Sequence, residues 1–196
     1  PTWDLVRDDP NRKDPEGPRD QWFVHRSRLP SSEGWPVTWV FSTHLKLKQE
    51  QRRRERMMRA SQELDDLKAR LEGPKPRLKT KAEVAAKAEA ILATYQVQRF
   101  ITLAIERYER PEYRQTKAGR PGPNTTYKRV DKRKWTIQHH VNEEVLTLTR
   151  ASDGMFPLIS NDRSLTPTAV LDAHKRQHGG ERRFSDAKSG LQIAPV

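Results

Sequence analysis

Residues 165–188, LTPTAVLDAHKRQHGGERRFSDAK, decide how this chain is read. The stretch has the length of one helix, and His174, Gln177, Glu181 and Lys188 stand in it at successive spacings of 3, 4 and 7. His174, His178 and Glu181 fall at i, i+4 and i+7, on one helical face, which is the kind of spacing zinc sites use. Against zinc stand Gly179 and Gly180, each costing a helix about 1 kcal/mol and together able to break that face. Just upstream, "DGMFPLIS" (residues 153–160) reads as a turn followed by a short strand, Met155 to Ile159.

The four spaced residues resemble the Y-x2-R-x3-E-x6-K signature of insertion-sequence transposases with a DDE-type, RNase H-like core. The likeness is strongest over residues 153–196; residues 22–150 look like the insertion that precedes that segment. His174 replaces the signature tyrosine and Gln177 its arginine, with Arg176 beside it, whereas Glu181 and Lys188 match. The resemblance implies an α+β chain in three parts. Residues 1–21 would be a loop lead-in, 22–150 an insertion of hairpin, helices and strands, and 151–196 the part of the catalytic core that carries the glutamate helix.

What the resemblance implies for chemistry follows from the reaction. In-line attack on a DNA phosphodiester is assisted by two metal ions roughly 3.5–4 Å apart, and Mg²⁺ prefers octahedral oxygen ligation with several waters retained. Glu181 would be one metal-binding, catalytic carboxylate for Mg²⁺ (or Mn²⁺). Lys188, Arg176, Arg182, Arg183, His174 and Gln177 would contact DNA, at transposon ends and target. Two further aspartates on core strands complete the family's set. The strand-like runs WFVH (22–25), VTWVFST (37–43) and RFITLAIE (99–106) neither contain nor directly end in one, and Asp153 reads as a turn residue before Gly154. The expectation is therefore an internal or C-terminal piece of a transposase, inactive by itself. The first residue, Pro1, and the closing "IAPV" accord with that.

Composition sets the wider bounds. Of 196 residues, 33% are hydrophobic and 33% charged, with a mean hydropathy of −0.99, so the apolar core must be thin. A formal net charge of +12 favours a polyanionic partner, because each cation placed on a phosphate releases condensed counterions. Charge alone does not separate DNA from RNA. A non-catalytic basic nucleic-acid-binding or coiled-coil protein is the competing reading. No apolar run approaches the ~18–20 residues of a membrane span and no signal-peptide pattern is present, so the expectation is a soluble, intracellular protein; the transposase resemblance implies a cytoplasmic, nucleoid-associated one. Without cysteine, disulfides and zinc–thiolate sites are excluded within the chain.

The hydrophobic periods give the remaining elements. Strands are expected over 21–27 and 36–43, joined through LPSSEGW, with Trp22, Phe23, Trp35, Trp39 and Phe41 making one greasy face. A long charged helix spans 46–71, its narrow stripe of Met57, Leu64, Leu67 and Leu71 fitting a coiled-coil arm with homodimer potential, a helix laid across DNA, or packing within its own domain. GPKPR (73–77) stops it. A second helix over 80–94 has Thr80 and Glu83 in capping-box spacing. Strands follow at 99–106 and 135–141 around a polar loop, and a further strand pair at 145–149 and 155–159. Gly119-Arg120-Pro121 in the polar loop invites a minor-groove hook reading, beside that of a plain hairpin loop.

Overall fold

The computed structural model describes residues 2–10 and 16–177. They form an α+β protein whose chain divides into two compact units, residues 1–50 with 152–196, and residues 51–151.

In the first unit, β1 (Asp4–Asp9), β2 (Asp20–Arg26), β3 (Val37–Ser42) and the last strand (Met155–Ile159) make one sheet. With the ribbon strands of the second unit counted in chain order as β4 (Ile101–Gln115) and β5 (Tyr127–Val141), that last strand is β6, and the sheet runs β1-β2-β3-β6, antiparallel throughout. Side chains alternate across a strand, so the register sends Trp22, Val24, Val40, Phe156 and Leu158 to one face. Leu171, from the helical residues 167–177, is fully buried against Val24 and Val40 there. Phe23, His25, Trp39 and Phe41 point to the other face, where Phe23 and Phe41 are 5.7 Å apart and Trp3 covers Phe41 at 6.1 Å. The expected single aromatic face is thus split in two by the pleat, and Trp35 lies outside the strands, exposed.

Two further expectations are corrected here. The lead-in is not all loop: β1 pairs with β2 from Asp4↔Val24 to Asp9↔Asp20. Backbone pairing forms this strand without apolar alternation, and its charges suit a sheet edge, where they discourage further strands from adding. Nor do residues 22–150 make up one compact unit apart from 151–196, since the 22–43 hairpin falls with the latter. The hairpin shares its sheet with β6, and the break in the chain's organisation falls at residue 50.

The helix that follows β3, α1 (Thr43–Glu72), begins in the first unit and continues into the second. Ser42 caps it, its Oγ accepting the Leu45 N–H at 3.2 Å. Ala60, Leu64, Leu67 and Leu71, spaced 4, 3 and 4, are buried with Val84, Ala88, Ile91 and Leu92 of α2 (Lys81–Thr94) and with Ile101, Ile137 and Leu146. The stripe that would serve as a coiled-coil seam is covered within its own unit. At the start of α2 the Thr80 Oγ1 accepts the Glu83 N–H at 3.2 Å while Glu83 accepts the Thr80 N–H at 3.1 Å, the reciprocal box the sequence predicted.

Residues 145–149, expected as a strand, lie instead in α3 (Glu143–Ser152). Asn142 caps this helix, accepting the Val145 N–H at 3.1 Å, and Glu143 and Glu144 sit in the first turn where the helix dipole favours them. Asp153 and Gly154 form the turn into β6, which pairs with β3 in place of residues 145–149. Among the described residues no helix is long and apolar enough to cross a membrane.

Candidate nucleic-acid interface

Helical residues 167–177, α4, carry His174, Arg176 and Gln177, all exposed. α4 lies on the first unit's sheet through Val170 and Leu171. His174 packs its ring 6.0 Å from Phe156, and Lys175 places Nζ 3.5 Å over the Trp22 ring. Burial, then repulsion from Arg7, lowers the Lys175 pKa, against attraction from Asp20, Asp9 and Asp172. Arg176 turns back toward the Asp172 carbonyl, with Nε at 3.4 Å. Glu181, Arg182, Arg183 and Lys188, like His178, lie outside the described residues.

Aspartates do stand at strand ends here, which a search of apolar runs missed because β1 is polar. Asp8 and Asp9 close β1 and Asp20 opens β2. Asp8 takes the Arg19 Nε at 2.6 Å, Asp9 lies 3.6 Å from Arg7, and Asp20 accepts the Ser42 hydroxyl at 3.4 Å. The arginines neutralise Asp8 and Asp9, while Asp20 has a hydroxyl beside it. Among the described residues no group of three or more His, Asp or Glu side chains is placed to hold a metal ion. The described residues therefore do not fit the two-metal site by themselves.

The second unit holds the strongest electrostatic feature. β4 and β5 pair without a break from Ile101↔Val141 to Gln115↔Tyr127, a two-stranded ribbon. Its base is apolar, Ile101 and Ile137 being buried. Beyond it lie residues 107–135, almost all of which the sequence reading assigned to a loop. They have no apolar period because water meets both faces, so hydrophobic alternation could not reveal them. The tip is closed by the Thr116 N–H to the Thr126 carbonyl at 3.0 Å and by a turn in which the Thr125 N–H meets the Gly122 carbonyl at 3.1 Å. Gly119-Arg120-Pro121 sits in that tip, as a hairpin loop, with Gly119 at φ +136°.

The ribbon's two faces differ in charge. On the odd-numbered face, Arg133 bonds Glu109 at 3.0 Å across the ladder, Arg129 bonds Asp131 at 2.9 Å along β5, and Arg107 lies 5.5 Å over the Trp135 ring. On the even-numbered face, Arg110 stands directly opposite Lys132 and Arg114 opposite Lys128, with Lys134 behind and, beyond Glu106, Glu112 as the one anion. Glu112 is shared between Lys132 at 2.5 Å and Lys134 at 3.7 Å. The Lys132 hydrogen bond first, then the charges of Lys132, Lys134 and Arg114, hold its carboxyl below the ordinary glutamate value.

Two of these cations are structural. Lys134, only 4% exposed, donates to the Gly73 carbonyl at 2.7 Å and the Glu72 carbonyl at 3.3 Å, while Arg110 donates to the Glu72 carbonyl at 3.0 Å. They satisfy carbonyls left open by the end of α1. Arg114 and Lys128 are exposed and have no partner of opposite charge on their rung, and Lys117 and Arg120 continue the positive field around the tip. A cleft of about 550 Å³ beside the end of α1, lined by Leu67, Leu71 and Pro74, adds Arg70, Lys75, Arg77 and Lys87 without a carboxylate.

The only sequence signal for this surface was the concentration of Arg and Lys on both sides of a Gly-Pro tip. Comparison with protein-family models, with curated proteins and with solved structures found no match to this chain.

Proposed function

We propose that this chain is a DNA-binding portion of a DDE-type transposase, holding duplex DNA for metal-dependent strand cleavage and transfer in DNA transposition. The observation that carries the DNA-binding part is the even-numbered ribbon face, where cations oppose cations across the ladder. Like charges directly opposite on paired strands destabilise the pairing, and a polyanion removes that cost. The net charge of +12 supports the same partner.

The transposase part rests on the spacing of His174, Gln177, Glu181 and Lys188. In this reading the first unit belongs to an RNase H-like core and Glu181 supplies one carboxylate to a Mg²⁺ or Mn²⁺ pair. His174, Arg176, Gln177, Arg182, Arg183 and Lys188 lie along the DNA backbone. The described residues hold no ligand set for that metal pair by themselves.

The test measures affinity of the full chain for a random-sequence DNA duplex against salt. Binding should weaken steeply, by a log–log slope of about −0.9 for each phosphate contacted. Glu181→Ala should leave that affinity unchanged and, in a protein that carries the complete acidic set, abolish strand transfer. Salt-insensitive or absent binding refutes the proposal. Strand transfer that survives Glu181→Ala leaves a basic DNA-binding protein and removes the transposase reading.

A further inference from the structure

From the placement of cations on the ribbon we infer that the outer part of β4–β5 enters the major groove of duplex DNA, its even-numbered face turned inward, with Arg114 directed to one phosphate wall and Lys128 to the other. The inference rests on the proposed DNA-binding role and specifies its geometry and substrate.

Three observations support it. First, the exposed Arg114↔Lys128 rung carries a cation on each strand, so the outer face is positive at both edges, and Arg110 and Lys132 behind it are held by the Glu72 carbonyl and Glu112. A groove walled by two phosphate strands is the complementary shape, whereas a single nucleic-acid strand offers anions to one edge alone. Second, the dimensions agree. Two paired strands lie about 4.8 Å apart, and the B-DNA major groove, about 12 Å wide and 8.5 Å deep, admits a two-stranded ribbon. From Arg110 to Gln115 on β4, and from Tyr127 to Lys132 on β5, the strands run about 17 Å beyond the contacts at Glu72, before the tip of residues 116–126. Third, beyond Glu106 the even-numbered face keeps one carboxylate, Glu112, among its cations, while on the odd-numbered face Arg129 and Arg133 each bond a carboxylate.

The same features argue against other occupants. A second copy of this ribbon would bring like charge to like charge. Duplex RNA has a deep, narrow major groove that side chains do not enter. Single-stranded platforms combine cations with aromatic rings on one surface, but here the exposed Tyr113 and Tyr127 lie on the face opposite Arg114 and Lys128.

The experiment uses the full chain, a 30-base-pair DNA duplex of random sequence, an RNA duplex of the same length, and dimethyl sulfate as probe of guanine N7 in the major groove. Wild type should protect N7 and prefer DNA to RNA duplex at least tenfold. The double variant Arg114→Ala/Lys128→Ala should lose the protection, and its salt slope should fall by about 1.8, so that the affinity lost between about 50 and 200 mM salt shrinks roughly tenfold. Arg129→Ala/Arg133→Ala, on the neutralised face, should change the slope by less than half as much. DNA binding without N7 protection, equal binding of RNA duplex, or an unchanged slope in the first variant overturns groove entry and leaves the DNA-binding role standing. No binding of either duplex overturns both.

Discussion

Gly154 and Gly34 offer a matched pair of substitutions that separates backbone conformation from packing. Both adopt a left-handed conformation, φ +81° and +79°. A Cβ built on Gly34 meets nothing within 4 Å, but on Gly154 it lies 2.6 Å from the Ser42 carbonyl oxygen, 2.9 Å from the Lys46 Cβ and 3.0 Å from the Phe41 ring. The Gly154 backbone is also fastened at both ends: its N–H donates to Gln49 Oε1 at 2.7 Å and its carbonyl accepts the Ser42 N–H at 2.9 Å. Neither neighbour can retreat cheaply. Ser42 is the last residue of β3 and the cap of α1, so relief of the overlap must break a ladder contact or the cap. Left-handed φ costs a residue with a Cβ about 1–2 kcal/mol, offset by roughly 0.4–1 kcal/mol of lost freedom in the unfolded chain. Gly34→Ala should therefore destabilise by about 1 kcal/mol or less. Gly154→Ala adds an overpacking term of about 1–3 kcal/mol, for a total of about 2–4 kcal/mol. Urea unfolding followed by tryptophan fluorescence reports on this unit through Trp3, Trp22, Trp35 and Trp39. Equal losses in the two variants would refute the reasoning, because they would mean that the close approach at Gly154 contributes nothing.

Other expectations concern the second unit. Lys134→Met should cost about 1–3 kcal/mol in denaturant, because it strips hydrogen-bond donors from the Glu72 and Gly73 carbonyls, while leaving the salt slope of DNA binding within experimental error; a lowered slope would place Lys134 on DNA instead. Leu64→Ala, at a fully buried position of α1, should cost about 2–5 kcal/mol by cavity formation, read as a shift in unfolding midpoint. Thr80→Ala should cost about 1 kcal/mol through loss of the α2 cap. The Glu83 carboxyl is held below its ordinary pKa chiefly by the Lys79 and Thr80 backbone N–H groups. Its contribution is complete above the unfolded-state value and is lost as pH falls through the lower folded value. Glu83→Gln should therefore be less stable than wild type at neutral pH and converge with it in acid; a difference that persists at the lowest pH would refute the assignment.

What the sequence disclosed depended on whether an element has an inside. α1 and α2 bury one stripe each, so their 3-to-4-residue spacing was legible, as was the Thr80–Glu83 box, a purely local device. β2, β3 and the base of the ribbon alternate for the same reason. β1 and the outer ribbon bury almost nothing, and their pairing is written in backbone hydrogen bonds that leave no mark on composition. Residues 145–149 are helical although Val145, Thr147 and Thr149 favour a strand, because Asn142 and two glutamates start a helix that Leu146 and Leu148 suit; the cap prevailed. The membership of the 22–43 hairpin depends on its pairing with β6, more than a hundred residues later, which no local signal encodes. Of the residues the resemblance assigned to DNA, His174, Arg176 and Gln177 are described and exposed. The ribbon cations were visible only as an excess of charge in what read as a loop, since their pairing across rungs exists only once the register is known.

The ribbon's two faces divide two requirements that oppose each other. A free hairpin with cations opposite cations on every rung would be poorly stable, each such rung costing about 0.2–1 kcal/mol against a neutral pair. Here the odd-numbered face supplies the compensating pairs, Arg133 with Glu109 and Arg129 with Asp131, the apolar base anchors Ile101 and Ile137 in the core, and Lys134 and Arg110 tie the middle to the end of α1. Those supports let the Arg114–Lys128 rung keep its mismatch without unravelling the strands. Were the ribbon only a structural connection, the simplest stable sequence would place an acid opposite each of these bases, as the other face does for Arg133. The asymmetry is what a surface needs if its missing counter-charges arrive on another molecule.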